Sequence, residues 1–72
     1  MRLRFSHHAR ERMGEQGITR EMVGRVLAGH EKRFEGDTAN EYEAVVNGRL
    51  LHVVISASSQ PAIVITVYWI AV

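Results

Sequence analysis

The spacing of apolar residues along this chain changes once, from a helical period to strict alternation. Phe5, Ala9 and Met13 recur every fourth residue, and Met22, Val23, Val26 and Leu27 follow at helical spacing, whereas apolar and polar positions alternate across much of the chain beyond Tyr42. The first pattern predicts two helices and the second a sheet. Ser6 offers a hydroxyl to the free amides of a first helical turn and Gly17 is a fitting stop. Helix one is therefore expected over about Ser6 to Gln16, with Gly14 weakening its last turn. Thr19 caps a second helix that Gly29 ends. Arg2 to Phe5 alternates basic and apolar residues, so it is either a short strand or an extended lead into helix one.

His30 to Phe34 is expected to begin the sheet, and Gly36 to Asn40 is turn material. Asn47-Gly48 between two apolar runs is the preferred centre of a two-residue hairpin, because both positions need positive φ. Such a turn fixes the register. Val46 then faces Arg49, Val45 faces Leu50, Ala44 faces Leu51, Glu43 faces His52 and Tyr42 faces Val53. Tyr42, Ala44, Leu51, Val53 and Ile55 are expected to look at the helices, and Glu43, Val45, Leu50, His52 and Val54 to look away. After the loop from Ser56 to Pro61, Ile63, Ile65, Val67 and Trp69 share one side of a last strand. Val64, Thr66, Tyr68 and Ile70 share the other. The all-apolar set is assigned to the core because it buries more area, which leaves Thr66 and Tyr68 beside His52 and Glu43 on the open face. The expected architecture is one α+β domain over residues 1–72, with two N-terminal helices packed on one face of an antiparallel sheet of three to four strands.

Composition narrows the function classes. The 72 residues contain no cysteine, which removes disulfides, thiol catalysis and zinc-thiolate sites and suits a reducing, cytoplasmic setting. No signal peptide is visible, and the apolar stretch from Ala62 to Val72 is too short to span a bilayer, so no membrane partner is expected. The net charge is +1, but residues 1–36 hold eight Lys or Arg against five Asp or Glu, whereas residues 37–72 hold one against three. That asymmetry favours a phosphate-bearing ligand on the helical side.

Two groups of residues could carry chemistry. His8 and Arg12 lie four apart and project side by side from helix one. Glu43 directly across a strand pair from His52 forms a carboxylate–imidazole pair suited to acid–base work at a phosphodiester. Tyr68 would orient the phosphate and Arg12 would offset its charge. The plainer alternative is a surface Glu–His pair that contributes only tenths of a kcal/mol, roughly the scale of cross-strand pairs. No metalloprotease spacing links His7, His8, His30 and His52, and Asp37 is the sole aspartate, so neither metal nor cofactor is expected. No glycine-rich phosphate loop is present either. Helix two is too apolar for a DNA-recognition helix, with only Arg20 and Arg25 able to reach bases or phosphates.

Ser6-His7-His8-Ala9-Arg10-Glu11-Arg12-Met13, Gly17-Ile18-Thr19, Leu51-His52-Val53-Val54 and Ile65-Thr66-Val67-Tyr68 together resemble the domain-of-unknown-function 4258 family of small bacterial proteins. The resemblance covers nearly the whole chain. It implies a fold similar to the barnase, EndoU, colicin and RelE-like ribonucleases, and a metal-independent RNA-cleaving toxin. It also implies roles for His8, Arg12, His52, Thr66 and Tyr68, which stand at the family's motif positions; Glu43 enters from the hairpin register alone. Two departures stand out. Gln16 occupies a position where a basic residue is usual, which weakens phosphate binding on helix one. The apolar tail at Val72 suggests that a partner covers the last strand.

The leading expectation is thus a toxin-like ribonuclease in which the 2′-hydroxyl attacks the adjacent phosphate. His52 or His8 takes the proton and the other returns one to the leaving oxygen, Arg12 holds the phosphate, and Tyr68 with Thr66 positions it. His8 and His52 can meet only at a sheet edge or rim if the helices cover one face. The alternative is a non-catalytic interaction module, with an antitoxin or a second copy docked on a C-terminal edge strand through Val64, Ile70 and Val72. RNA binding without cleavage is a third possibility.

Overall fold

A computed structural model describes residues 3–58 and 61–70. The chain runs β1 (Leu3–Phe5), α1 (His7–Gln16), α2 (Arg20–Ala28), β2 (Lys32–Glu35), β3 (Ala39–Val46), β4 (Arg49–Ser56) and β5 (Ala62–Trp69). The five strands form one mixed sheet in the order β1-β5-β4-β3-β2, with β1 parallel to β5 and every other pair antiparallel. Both helices pack on the same face. No helix among the described residues is long and apolar enough to cross a membrane.

The caps set the helix limits. The Ala9 N–H donates to the Ser6 hydroxyl at 3.0 Å, and Gly17 ends α1 in the left-handed conformation at φ 68°. Thr19 repeats the device, accepting from the Met22 N–H at 3.2 Å. The hairpin also forms as its sequence demands. Asn47 and Gly48 have φ 53° and 80°, and all five expected cross-strand pairs occur, from Val46 with Arg49 to Tyr42 with Val53.

The structure corrects the expected sheet in three places. It has five strands and is mixed, because the three residues of β1 pair in parallel with Ala62 to Val64. The strand β3 begins at Ala39, inside the stretch expected to be turn, while β2 starts two residues after His30. The third correction concerns β5, where the register shifts between Val54 and Ile55: Val54 pairs with Thr66 but Ile55 with Val64. Ile65 is the extra residue of a bulge, so the alternation inverts there. Val67 and Trp69 face the helices as expected, but Val64 rather than Ile63 or Ile65 enters the core, and Ile65 is exposed. The Ser6 hydroxyl donates to the Ile65 carbonyl at 2.7 Å, and the Ser6 N–H donates to the Val64 carbonyl at 2.9 Å. The start of α1 is therefore fastened to the bulge.

This topology shortens the expected docking edge to the part of β5 beyond Val64. The strand β5 is covered by β1 from Ala62 to Val64 and, among the described residues, has no strand on that side beyond it; Val64 is fully buried, Ile70 is half-buried, and Val72 lies outside the described residues. The core is correspondingly compact and rich in β-branched residues. With α1 on β5 and α2 on β3 and β4, Val23, Val26, Leu51, Val53, Val64 and Val67 are all fully buried in one cluster. Each such side chain contributes about 1.5–3 kcal/mol by leaving water.

Two glycine substitutions should move stability in opposite directions. Gly48→Ala places a Cβ at φ 80° and should lower unfolding free energy by about 1 kcal/mol. Gly24→Ala lies inside α2, where a Cβ meets nothing within 4 Å, and should raise it by up to about 1 kcal/mol. Urea unfolding with unchanged m-values checks both signs.

Candidate functional site

The register places side chains in rows across the sheet face that the helices leave uncovered. One row runs Lys32, Glu43, His52, Tyr68 over β2, β3, β4 and β5, and the adjacent row runs Phe34, Glu41, Val54, Thr66. Charge gathers where the first row crosses β3 and β4. His52 Nδ1 lies 2.9 Å from Glu43 Oε1, and His52 Nε2 lies 2.6 Å from Glu41 Oε1. The Tyr68 ring stacks on the imidazole, with centroids 4.8 Å apart and an interplanar angle of 26°. These neighbours cover His52 so fully that it is 4% exposed although no helix lies over it.

This arrangement has a definite proton inventory. A neutral imidazole donates one hydrogen bond and accepts one, whereas a carboxylate only accepts. Both contacts are hydrogen bonds together when the ring carries two protons, or when one carboxyl keeps a proton of its own. Either way Glu41, His52 and Glu43 form a continuous path for a proton. The path has one open end. The Glu41 side chain is 47% exposed, against 13% for Glu43 and 5% for His52, so Glu41 is the carboxylate that a ligand on the sheet face could touch.

His52, Glu43 and Tyr68 are therefore brought together as the sequence suggested. Thr66 shares their face one row away. His8 and Arg12 do not join them. Both are exposed on α1, whose Ala9 and Met13 pack into the core from the helical side, so the sheet lies between them and His52. The expected pairing of His8 with His52, and of Arg12 with a phosphate held there, is not formed. The reason is the parity of the strands: Leu51 and Val53 point toward the helices, so His52 between them must point away. The other histidines have local roles. His7 pairs with Glu11 at 2.7 Å on the exposed face of α1, and the His30 ring packs edge-on to Tyr42 at 4.9 Å.

Sequence reasoning missed Glu41, Lys32 and Phe34. Glu41 was within reach, since it stands two residues before Glu43 on the same strand and so shares its face. Lys32 and Phe34 depend on the β2 register, for which no turn with a fixed offset gives a signal. No group of three His, Asp or Glu side chains among the described residues is placed to hold a metal ion. Each nitrogen of His52 faces its own carboxylate rather than a shared point.

Residues 5–69 match the family described as Domain of unknown function (DUF4258), and the chain belongs to that family. No curated protein and no solved structure matches it.

The two carboxylates should differ in their effect on stability. Glu43→Gln weakens a nearly buried charged hydrogen bond and should cost about 1–2 kcal/mol, whereas Glu41→Gln, half in water, should cost less than about 1 kcal/mol. In a His52→Ala background Glu43→Gln should become stabilising, because it removes a carboxylate left without its partner. Denaturant unfolding of the single and double variants measures the reversal.

Proposed function

We propose that this DUF4258 domain is a metal-independent endoribonuclease of the toxin kind, with a fold akin to the barnase, EndoU, colicin and RelE-like enzymes. Its site is the uncovered sheet face. The observation that supports the proposal most is the Glu41–His52–Glu43 path, which ends in an exposed carboxylate beside a stacked tyrosine. A half-exposed carboxylate backed by a buried imidazole is suited to take a proton from a hydroxyl.

In the reaction, Glu41 accepts the proton of the RNA 2′-hydroxyl and the freed oxygen attacks the adjacent phosphorus. The P–O5′ bond breaks, leaving a 2′,3′-cyclic phosphate and a 5′-hydroxyl. Tyr68, on the same face, returns a proton to the leaving oxygen. His52 acts as a positioning residue: with both nitrogens occupied and the ring buried, it holds Glu41 in place and shares its proton. Lys32 lies one strand beyond Glu43 and offsets phosphate charge, while the exposed rings of Phe34 and Tyr68 offer surfaces on which bases stack. His8 and Arg12 are left out of the chemistry.

One observation favours a second reading. Phe34 and Val45 are exposed apolar side chains on the same face, as a protein-docking surface requires. On that reading the histidine cluster is structural, and an antitoxin or a second copy covers the sheet face rather than a β5 edge.

Purified protein incubated with mixed RNA in EDTA separates the two. The ribonuclease predicts fragments with cyclic phosphate ends and a rate about 100-fold or more lower in Glu41→Gln, the scale of a lost general base. Intact RNA across pH and concentration, or equal cleavage by Glu41→Gln, contradicts it and leaves the docking module.

A further inference from the structure

A cavity on the helical side of the sheet is built from residues that the sheet-face site does not use. It is an open notch of about 390 Å³ lined by Phe5, Arg10, Met13 and Arg20. Phe5 ends β1, Arg10 and Met13 lie one turn apart on α1, and Arg20 is the first residue of α2. The notch therefore sits where β1 turns into α1 and faces the start of the second helix. Its size falls within the range of small-molecule sites.

The lining has an unbalanced chemistry. Neither Arg10 nor Arg20 forms an ion pair with a carboxylate among the described residues, although Glu11 and Glu21 are close in sequence; Glu11 is engaged by His7. Arg20 is held in another way. Its guanidinium lies 5.3 Å from the centroid of the Phe5 ring, a stacking contact that restrains the planar group while its N–H donors remain able to bind an anion. Both arginines line the notch and each has N–H donors to offer an anion. The thioether of Met13 and the ring of Phe5 supply the apolar wall that a bare inorganic ion would not need.

We infer that this notch binds a small phosphomonoester attached to a flat heteroaromatic body, the chemistry of a nucleoside monophosphate. The phosphate is held by Arg10 and Arg20, and the ring lies against Phe5 and Met13. A phosphate dianion matches two guanidinium groups, since each can donate two parallel hydrogen bonds to its oxygens. The inference does not depend on RNA cleavage at the sheet face, from which the notch is separated by the sheet.

Titration calorimetry of the full chain with AMP, adenosine and inorganic phosphate as separate probes tests the assignment. AMP should bind more tightly than either component. Arg10→Ala and Arg20→Ala should each weaken it by about tenfold or more, the effect expected for loss of a charge-assisted hydrogen bond. Arg20→Lys, which keeps the charge but loses the planar fork, should lose part of that affinity. Both arginines are exposed, and a thermal melt confirms that the variants fold. No AMP binding at millimolar concentration, or AMP binding that survives both alanine substitutions, overturns the site. Equal affinity for AMP and phosphate overturns the assignment of a ring-bearing ligand.

Discussion

The hairpin turn at Asn47-Gly48 decides which side of the sheet carries charge. Both residues have positive φ, the geometry that joins two strands through two residues, and from that point each pair in β3 and β4 is fixed. A slip of one residue would send His52 toward Val26 and Leu27 and bring Leu51 and Val53 out into water. Such a slip would bury an imidazole without its two carboxylates and lose several apolar side chains from a core that has few to spare. The histidine cluster and the hydrophobic core are thus two consequences of one register.

The first helix is tied to this sheet through β5. At one end the Ser6 hydroxyl accepts from Ala9 and donates to the bulge carbonyl of Ile65, so a single side chain both caps α1 and satisfies the irregular strand. At the other end Trp69 donates its indole N–H to the Gln16 carbonyl at 3.1 Å, and its backbone N–H lies 3.4 Å from the Gln16 side-chain oxygen. There β1 no longer runs alongside, and Gln16 occupies the open flank of the strand. A basic side chain at this position has no oxygen to offer the Trp69 backbone N–H, which gives the glutamine a structural role in this chain. Arg49 stacks over the same indole at 4.5 Å and completes the corner.

What could be read from the sequence follows from where the physical rules are local. The two helix caps and the Asn-Gly turn act within a few residues, and with them the hairpin register, the position of His52 opposite Glu43 and the tyrosine beside them were legible. The bulge at Ile65 was not, because the run Ile63-Val64-Ile65 is apolar on both sides of the strand and contains no glycine or proline to mark an inversion. The three residues of β1 look the same in sequence whether they pair or only lead into a helix. Separation of His8 and Arg12 from His52 needed the layer order as well. Helical spacing shows that two side chains share a stripe, but not on which side of a distant strand that stripe lies.

The account rests on His52 pointing away from the helices into its carboxylate cluster, and nuclear Overhauser contacts of its ring protons in solution test this most directly. They should run to the Tyr68 ring and to the side-chain protons of Glu41 and Glu43, with none to the methyl groups of Val26 or Leu27. Contacts from the His52 ring to those helix methyls, or to the His8 ring, would contradict the register and with it the site.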